Sequence, residues 1–176
     1  MKARNMALCA LFAALLALCA WISVPVADVA FTLQTLGIAL VLMLLDGRWG
    51  TLSILVYLLL GAAGLPVFSG FQGGLGALLG VTGGYILGFL VWGILYWLLT
   101  SIGPDSDRFR LLAMVLGLLA CYTFGSAWFY WLYLQKGGAV SLGLVLLKCV
   151  VPYVIPDAVK LTAAWFLSRR LKRFVY

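Results

Sequence analysis

Long apolar runs separated by short polar segments organise this chain. Uncharged runs cover residues 6–27, 29–45, 49–104 and 111–135, and a last apolar segment ends at Leu167. About 20 apolar residues in a helix cross the hydrocarbon core of a bilayer, so the run over 49–104 fits two crossings and a connection. The pattern predicts an all-α integral membrane protein with six transmembrane helices, in a single domain that covers residues 1–176.

The residues that interrupt these runs indicate where the helices begin and end. The first span is expected to end between Trp21 and Pro25. The second run is short for a span, so an irregular start is expected after Asp28, and the segment 46–50 is expected to form a compact turn. Proline suits the first turn of a helix, so Pro156 predicts the start of the sixth span.

The connection between helices 3 and 4 is rich in glycine. Seven of the 17 residues over 69–85 are glycine, and none of the 17 is charged. Irregular backbone survives at membrane depth only where protein buries it or where it lines a cavity. A substrate-binding loop is one interpretation. The other is helix packing through the close-approach spacings Gly76-x-x-x-Gly80 and Gly84-x-x-x-Gly88.

Six spans place most of the cations on one side of the membrane. The cations on the side of the termini are Lys2, Arg4, Arg48, Arg108, Arg110, Arg169, Arg170, Lys172 and Arg173. Lys136 falls in an opposite loop, whereas Lys148 and Lys160 fall near or within the apolar region. Cytoplasmic loops carry an excess of Lys and Arg, so both termini are expected in the cytoplasm. The glycine-rich connection and the start of the sixth span then lie at the outer face.

Asp157 and Lys160 are charged residues inside the apolar sixth span. Their spacing of three places them on one face of a helix, and an isolated charge at membrane depth costs about 2.5–3.5 kcal/mol on insertion scales. They are expected to pair, to face a polar cavity, or both. An ion pair that only fixes packing is the alternative. Because Gln34 lies at the same end, the three residues predict a small-molecule pocket that is open to the outside.

Composition narrows the function classes. The chain is 65% hydrophobic and contains no histidine, and its five acidic residues are all aspartate. This excludes most general acid–base chemistry and most metal sites, so neither an enzyme nor a metal or cofactor is expected. The sequence contains no GxxxxGK phosphate-binding loop. The net charge of +7 reports membrane topology rather than nucleic-acid binding.

A set of short motifs occurs in order along nearly the whole chain. They are Thr32-Leu33-Gln34-Thr35-Leu36-Gly37, Leu65-Pro66-Val67-Phe68, Gly73-Gly74, Gly83-Gly84-Tyr85 and Pro156-Asp157-Ala158-Val159-Lys160. The ordered set resembles BioY, the biotin-binding S component of energy-coupling factor (ECF) vitamin transporters. The resemblance implies a six-helix subunit in the plasma membrane of a prokaryote that captures biotin from outside. Its implied partners are a transmembrane coupling subunit and two ABC-type ATPases, which supply the energy.

The resemblance also implies which residues contact the substrate and the partner. Those for biotin are Asp157, Lys160, Gln72, Gly73, Gly74 and Tyr85, and the argument from charge and position adds Gln34. Phe71, Tyr85 and Trp21 are candidate walls for the bicyclic ring. An Ala-x-x-x-Ala stripe in the first span is implied to dock the coupling subunit, here through Ala10 and Ala14. Packing of that stripe against the protein's own helices is the alternative.

Two positions depart from the family pattern. Family members often have arginine after Gly-Gly-Tyr, where this chain has Ile86, and they commonly have Pro-Gly-Asp where it has Pro156-Asp157. The biotin carboxylate would then fall to Lys160, alone or with Lys148. An S component for a different vitamin, and a membrane scaffold or small ion-conducting protein, are the alternative functions.

Overall fold

The protein is almost entirely helical, which confirms the predicted fold class. The computed structural model describes residues 2–26, 29–135 and 141–175. Its elements are α1 (Lys2–Trp21), β1 (Ser23–Val26), β2 (Val29–Thr32), α2 (Gln34–Leu44), α3 (Asp46–Ala62), α4 (Leu75–Leu78), α5 (Gly83–Ile102), α6 (Asp107–Gln135), α7 (Leu142–Cys149) and α8 (Val151–Val175).

Each of the six predicted spans corresponds to one of the longer helices, namely α1, α2, α3, α5, α6 and α8. Among the described residues, α1, α5 and α6 are long and apolar enough to cross a membrane, and α7 with α8 forms a fourth candidate that is bent by 40°. Helix α2 has only 11 residues, which is about 16 Å of helix. The structure therefore describes a multi-pass membrane protein in which one span is much shorter than a bilayer.

A β-hairpin accounts for the short second span. Strands β1 and β2 pair antiparallel, with Ser23 opposite Thr32 and Val24 opposite Phe31. The hairpin uses the residues that precede Gln34, so only the end of the second apolar run remains for helix. The irregular start of that run is confirmed, although the predicted interruption at Asp28 lies outside the described residues.

Helix α2 is the buried centre of the fold. Every residue from Gly37 to Leu44 is buried, as an apolar helix without a polar face requires. It packs against α8 and also contacts α1, α3 and α5. The chain reverses at Asp46, whose φ is 60°, and α3 begins at that same residue. Aspartate tolerates this left-handed conformation better than most residues. The predicted turn over 46–50 is therefore wrong, because the reversal needs almost no loop.

The glycine-rich connection is ordered by contacts with α3 and α6. Gly70 and Gly74 adopt positive φ values of 68° and 84°, which residues with a Cβ rarely do. The amide of Gly74 donates to the Gly61 carbonyl over 2.7 Å, and Trp128 Nε1 donates to the Gly80 carbonyl over 3.1 Å. These bonds hold the connection over one end of the helices.

The two glycine spacings in this region serve different purposes. A Cβ at Gly84 would collide with Trp128, and one at Gly88 would meet Cys121, so this pair allows α5 and α6 to pack closely. A Cβ at Gly76 would meet nothing within 4 Å, and at Gly80 only backbone of its own turn. The packing interpretation therefore holds for Gly84 and Gly88 alone.

The sixth span begins earlier than the sequence predicted. Helix α8 starts at Val151, so the predicted start at Pro156 is wrong. Pro152 occupies the first turn, where a missing amide hydrogen costs no intrahelical bond, and Pro156 lies within the helix. Asp157 is therefore almost two turns inside the helix, and its carboxylate is stabilised by side chains rather than by the helix terminus.

Candidate functional site

A cavity of about 400 Å³ lies between the β-hairpin, the glycine-rich connection and helices α2, α5, α6, α7 and α8. Its lining residues are Ser23, Ala30, Thr32, Gln34, Thr35, Ser69, Gly70, Gln72, Thr82, Tyr85, Ile86, Phe89, Leu118, Cys121, Tyr122, Cys149, Tyr153, Asp157 and Lys160. This volume falls within the range of about 300–1,000 Å³ that is usual for small-molecule sites. One charged pair, several hydroxyl groups and two amides interrupt a mostly apolar wall.

Asp157 is the most connected side chain of the cavity. Its residue is only 2% exposed. Its Oδ1 accepts hydrogen bonds from Thr35 Oγ1 and Lys160 Nζ, both over 2.8 Å, and its Oδ2 accepts a short hydrogen bond from the Tyr122 hydroxyl. Three donors from helices α2, α6 and α8 thus converge on one carboxylate. This is the pattern that a buried charge requires if it is to remain ionised.

Lys160 completes this cluster and retains capacity for a ligand. Its ammonium lies 4.0 Å from the centre of the Phe31 ring, in a cation–π contact. An ammonium has three N–H donors, and the bond to Asp157 uses one of them. The pair as a whole is neutral. Lys160 can therefore donate to a polar group in the cavity without leaving Asp157 unpaired.

Gln34 lines the cavity, but its amide is largely engaged elsewhere. Its Oε1 accepts from Thr32 Oγ1 over 3.0 Å, and its Nε2 donates to the Tyr57 hydroxyl over 2.8 Å. Tyr57 in turn donates to the Val67 carbonyl over 3.1 Å. This chain of bonds connects the hairpin, α2, α3 and the glycine-rich connection. The geometry gives Gln34 the role of positioning the wall.

The remaining predicted residues divide between the lining and the support behind it. Gln72 and Tyr85 line the cavity. The Tyr85 hydroxyl shares a 3.1 Å hydrogen bond with Ser126, whereas no hydrogen bond of the Gln72 side-chain amide occurs among the described residues. Gly73 and Gly74 are not lining residues: Gly73 lies against the Leu65 carbonyl, and Gly74 binds α3 through its amide. These two glycines shape the connection without facing the cavity.

The candidate aromatic walls are only partly in place. Tyr85 faces the cavity, but Trp21 and Phe71 stack on each other outside it, with ring centroids 5.2 Å apart. Trp21 Nε1 donates to the Pro66 carbonyl over 2.8 Å, so this stack joins α1 to the glycine-rich connection. Three further aromatic rings that sequence reasoning did not single out also line the cavity, namely Phe89, Tyr122 and Tyr153.

The alanines of α1 lie on two different faces. Ala10 and Ala14 are exposed, whereas Ala13 and Ala17 are buried against the other helices. Packing against the protein's own helices therefore holds for Ala13 and Ala17, whereas docking through Ala10 and Ala14 stays a prediction. The predicted partner residues lie on the outward face of the helix.

Comparison with known protein families shows which family this chain belongs to. The family model described as "BioY family" matches residues 1–176. The chain belongs to the BioY family. Several BioY proteins are similar to it over nearly their whole length. The "Probable biotin transporter BioY" of Pyrococcus horikoshii is 38% identical over 173 residues, 98% of each chain. The "Biotin transporter BioY" of Thermotoga maritima is 37% identical over 163 residues, 93% of this chain and 92% of that protein.

A solved structure agrees with the BioY fold of this chain. It is described as the crystal structure at 2.1 Å of the S-component for biotin from an ECF-type ABC transporter. The TM-score is 0.83 at 25% sequence identity, and the match covers 98% of this chain and 92% of the other. The resemblance that the motifs indicated is thereby confirmed for both family and fold.

Sequence reasoning missed several residues of this BioY site. Thr35 and Tyr122 bind Asp157, and Phe31 contacts Lys160. Tyr122 has a usable signal, because it lies in the middle of a long apolar span rather than at a membrane interface, where tyrosine is common. Lys148 is exposed on α7 and does not line the cavity. No group of metal-ligating side chains occurs in the part of the chain that the structure describes.

Proposed function

We propose that this chain is the substrate-binding S component for biotin in an ECF-type transporter. Two independent similarities support this: relatives named biotin transporters cover nearly the whole chain, and a biotin S-component shares the fold. The observation that carries the proposal is the cavity, in which a buried, neutral Asp157–Lys160 pair faces a space of about 400 Å³. A transport role also fits the earlier expectation that the chain is not an enzyme.

The charge balance of the cavity supports one orientation of biotin. Burying the biotin carboxylate beside the Asp157–Lys160 pair would leave one net negative charge in a dry site, which is costly. The ureido group is neutral, and its carbonyl can accept a hydrogen bond from Lys160. The ureido end therefore belongs at the buried pair. The carboxylate, which the departures from the family pattern had assigned to Lys160, belongs instead near Gln72, which is exposed.

This orientation also assigns different roles to the predicted residues. Lys160 and Gln72 have donors that are not used in other described contacts, so both can bind biotin directly. Asp157 accepts three hydrogen bonds already and acts by holding Lys160, Thr35 and Tyr122 in place. A carboxylate oxygen has room for a further donor, so one ureido N–H can still reach Oδ2.

Calorimetric titration of the purified chain with biotin and two analogues tests both the function and the orientation. Biotinamide, which lacks the carboxylate charge, should bind within about tenfold of biotin, because its contact at the opening is solvated. Iminobiotin, whose cyclic guanidine is cationic at neutral pH, should bind far more weakly beside Lys160. The reverse order would overturn the orientation. No binding of biotin, with tight binding of another vitamin, would overturn the function.

The assignment to an ECF transporter includes partner subunits. In this proposal the partners are a transmembrane coupling subunit and two ABC-type ATPases. The ATPases hydrolyse ATP, and this chain needs no cofactor. The exposed Ala10 and Ala14 support close approach of a partner helix, since small side chains let backbones come together in lipid. The cation distribution supports a plasma-membrane protein with both termini in the cytoplasm.

The proposed docking face has a matched control on the same molecule. The double substitution Ala10→Trp and Ala14→Trp should preserve biotin binding and abolish capture of the coupling subunit. Ala127→Trp with Ala163→Trp, at exposed alanines of α6 and α8, should leave capture intact. Equal capture by both double variants would place the docking face elsewhere.

A further inference from the structure

A second cavity lies at the opposite end of the molecule, between α2, α5, α6 and α8. Its volume is about 270 Å³, and we call it the basic cavity because Arg110, Arg169 and Lys172 line it together with Asp107. Three cations and one carboxylate line it, and two carboxylates outside the lining, Asp105 and Asp46, lie 2.8 and 3.9 Å from Arg110. In the proposed biotin site, in contrast, the single cation is paired with the single carboxylate.

Several donors of the basic cavity have no acceptor. Lys172 forms no ion pair among the described residues. Tyr96 also lines the cavity and is only 2% exposed, and the described part of the chain offers its hydroxyl no hydrogen-bond partner. Arg110 donates to Asp105 over 2.8 Å and lies 3.9 Å from Asp46, and Arg169 donates to Asp107. Both guanidinium groups are therefore paired, but each has five N–H donors and keeps some for a further acceptor. Such an arrangement suits an anion with several oxygen atoms.

The surroundings of the basic cavity indicate which kind of molecule the anionic group belongs to. Trp165 lines the cavity, as tryptophan commonly does at the level of lipid headgroups. Leu111, next to Arg110, and Phe166, next to Trp165, are exposed apolar side chains. Inorganic phosphate would leave these apolar side chains uncovered, whereas the acyl chains of a lipid would cover them. Basic pockets between transmembrane helices are a known means of binding anionic lipid headgroups.

We propose that the basic cavity binds the phosphate group of an anionic phospholipid, whose acyl chains lie along the adjacent apolar surface. Lys172, which has no counter-ion among the described residues, supplies the charge. The two paired guanidinium groups supply further N–H donors, and the Tyr96 hydroxyl supplies a neutral donor at the buried end. Asp107 holds Arg169 in place at this site. The binding does not depend on what the other cavity holds.

Native mass spectrometry of the full chain in detergent tests this proposal, with phosphatidylglycerol and phosphatidylcholine of the same acyl chains as probes. We expect phosphatidylglycerol to bind at least tenfold more tightly than phosphatidylcholine. Lys172→Gln and Tyr96→Phe should each weaken phosphatidylglycerol binding several-fold. Arg170→Gln is the matched control, because it removes one cation from the same helix at an exposed position outside the cavity. It should change the affinity less than twofold.

Three results would overturn the proposal. Equal binding of the two lipids would remove the role of charge, and equal effects of Lys172→Gln and Arg170→Gln would remove the role of the cavity. Displacement of phosphatidylglycerol by millimolar inorganic phosphate would show that a free phosphate, rather than a lipid, occupies the site. Biotin binding by each variant serves as the folding control, since these residues lie outside the proposed biotin cavity.

Discussion

Two ion pairs of similar chemistry lie at opposite ends of this molecule. The Asp157–Lys160 pair has side chains that are 3% and 9% exposed, whereas the Asp107–Arg169 pair has side chains that are 54% and 56% exposed. When one partner is removed, water can solvate the exposed survivor but not the buried one. The buried Asp157–Lys160 pair should therefore be important for stability and binding, whereas the exposed Asp107–Arg169 pair should contribute little.

The largest difference between the two pairs is expected in stability. Asp157→Asn keeps the shape of the side chain but removes the charge on which Lys160, Thr35 and Tyr122 converge. Breaking a buried pair in this way costs about 3–5 kcal/mol in the free energy of unfolding. Denaturant titration in detergent micelles measures it. A loss below about 1 kcal/mol would contradict a structural role for the buried pair.

Biotin affinity provides the next largest effect. Lys160→Ala removes the proposed donor to the ureido carbonyl and the countercharge of Asp157, and should cost about 2–5 kcal/mol of binding free energy. That corresponds to roughly a 30-fold weaker Kd or more. Lys148→Ala is the control, because this lysine is exposed and lies outside the cavity. Wild-type affinity in a folded Lys160→Ala protein would contradict the proposed contact.

Tyr122→Phe isolates one hydroxyl of the buried cluster. The substitution removes only the hydrogen bond to Asp157 Oδ2, and a hydrogen bond to a charged group contributes about 1.5–3 kcal/mol. Both stability and biotin affinity should fall, because the carboxylate loses its support from α6. Tyr133→Phe, at an exposed tyrosine of the same helix, should change neither. If the two variants behave alike, the short bond to Asp157 has no energetic role.

The exposed pair should give the smallest effect. Asp107→Asn breaks the bond to Arg169, yet both side chains are more than half exposed, so the loss should stay below about 1 kcal/mol. It should shrink further as salt is added, since exposed charges are screened. Unfolding measured at low and high ionic strength checks this. A loss as large as that of Asp157→Asn would show that exposure does not separate the two pairs.

Sequence reasoning succeeded at the site where one chain segment carried the chemistry. Asp157 and Lys160 are three residues apart, so helical geometry alone brings them together, and the structure confirms their pairing at 2.8 Å. Thr35 and Tyr122 are 122 and 35 residues away from Asp157 along the chain. No local pattern brings them to this carboxylate. For Gly73 and Gly74 sequence reasoning failed: the motif is recognisable, but it does not reveal which way its backbone faces, and neither glycine lines the cavity.

Helix boundaries, too, were predictable only where they depend on the local sequence. Apolar runs and their interruptions were sufficient to predict six helices, because the bilayer requires a minimum apolar length and a paired backbone. The start of α8 at Val151 rather than Pro156, and the loss of the first part of the second span to a hairpin, were not predictable in this way. Two prolines compete for one helix start, and strand pairing depends on a partner segment rather than on run length.

The sequence by itself determined membrane insertion, the helical class, the grouping of cations and the i,i+3 ion pair, since each depends on composition or on neighbours along one element. The tertiary structure decided which alanines of α1 face outward, which donors surround Asp157, and which cations share a cavity with Tyr96. These arrangements arise where separate helices pack together. Packing in lipid depends on shape and hydrogen bonding between elements, and neither can be read from one element alone.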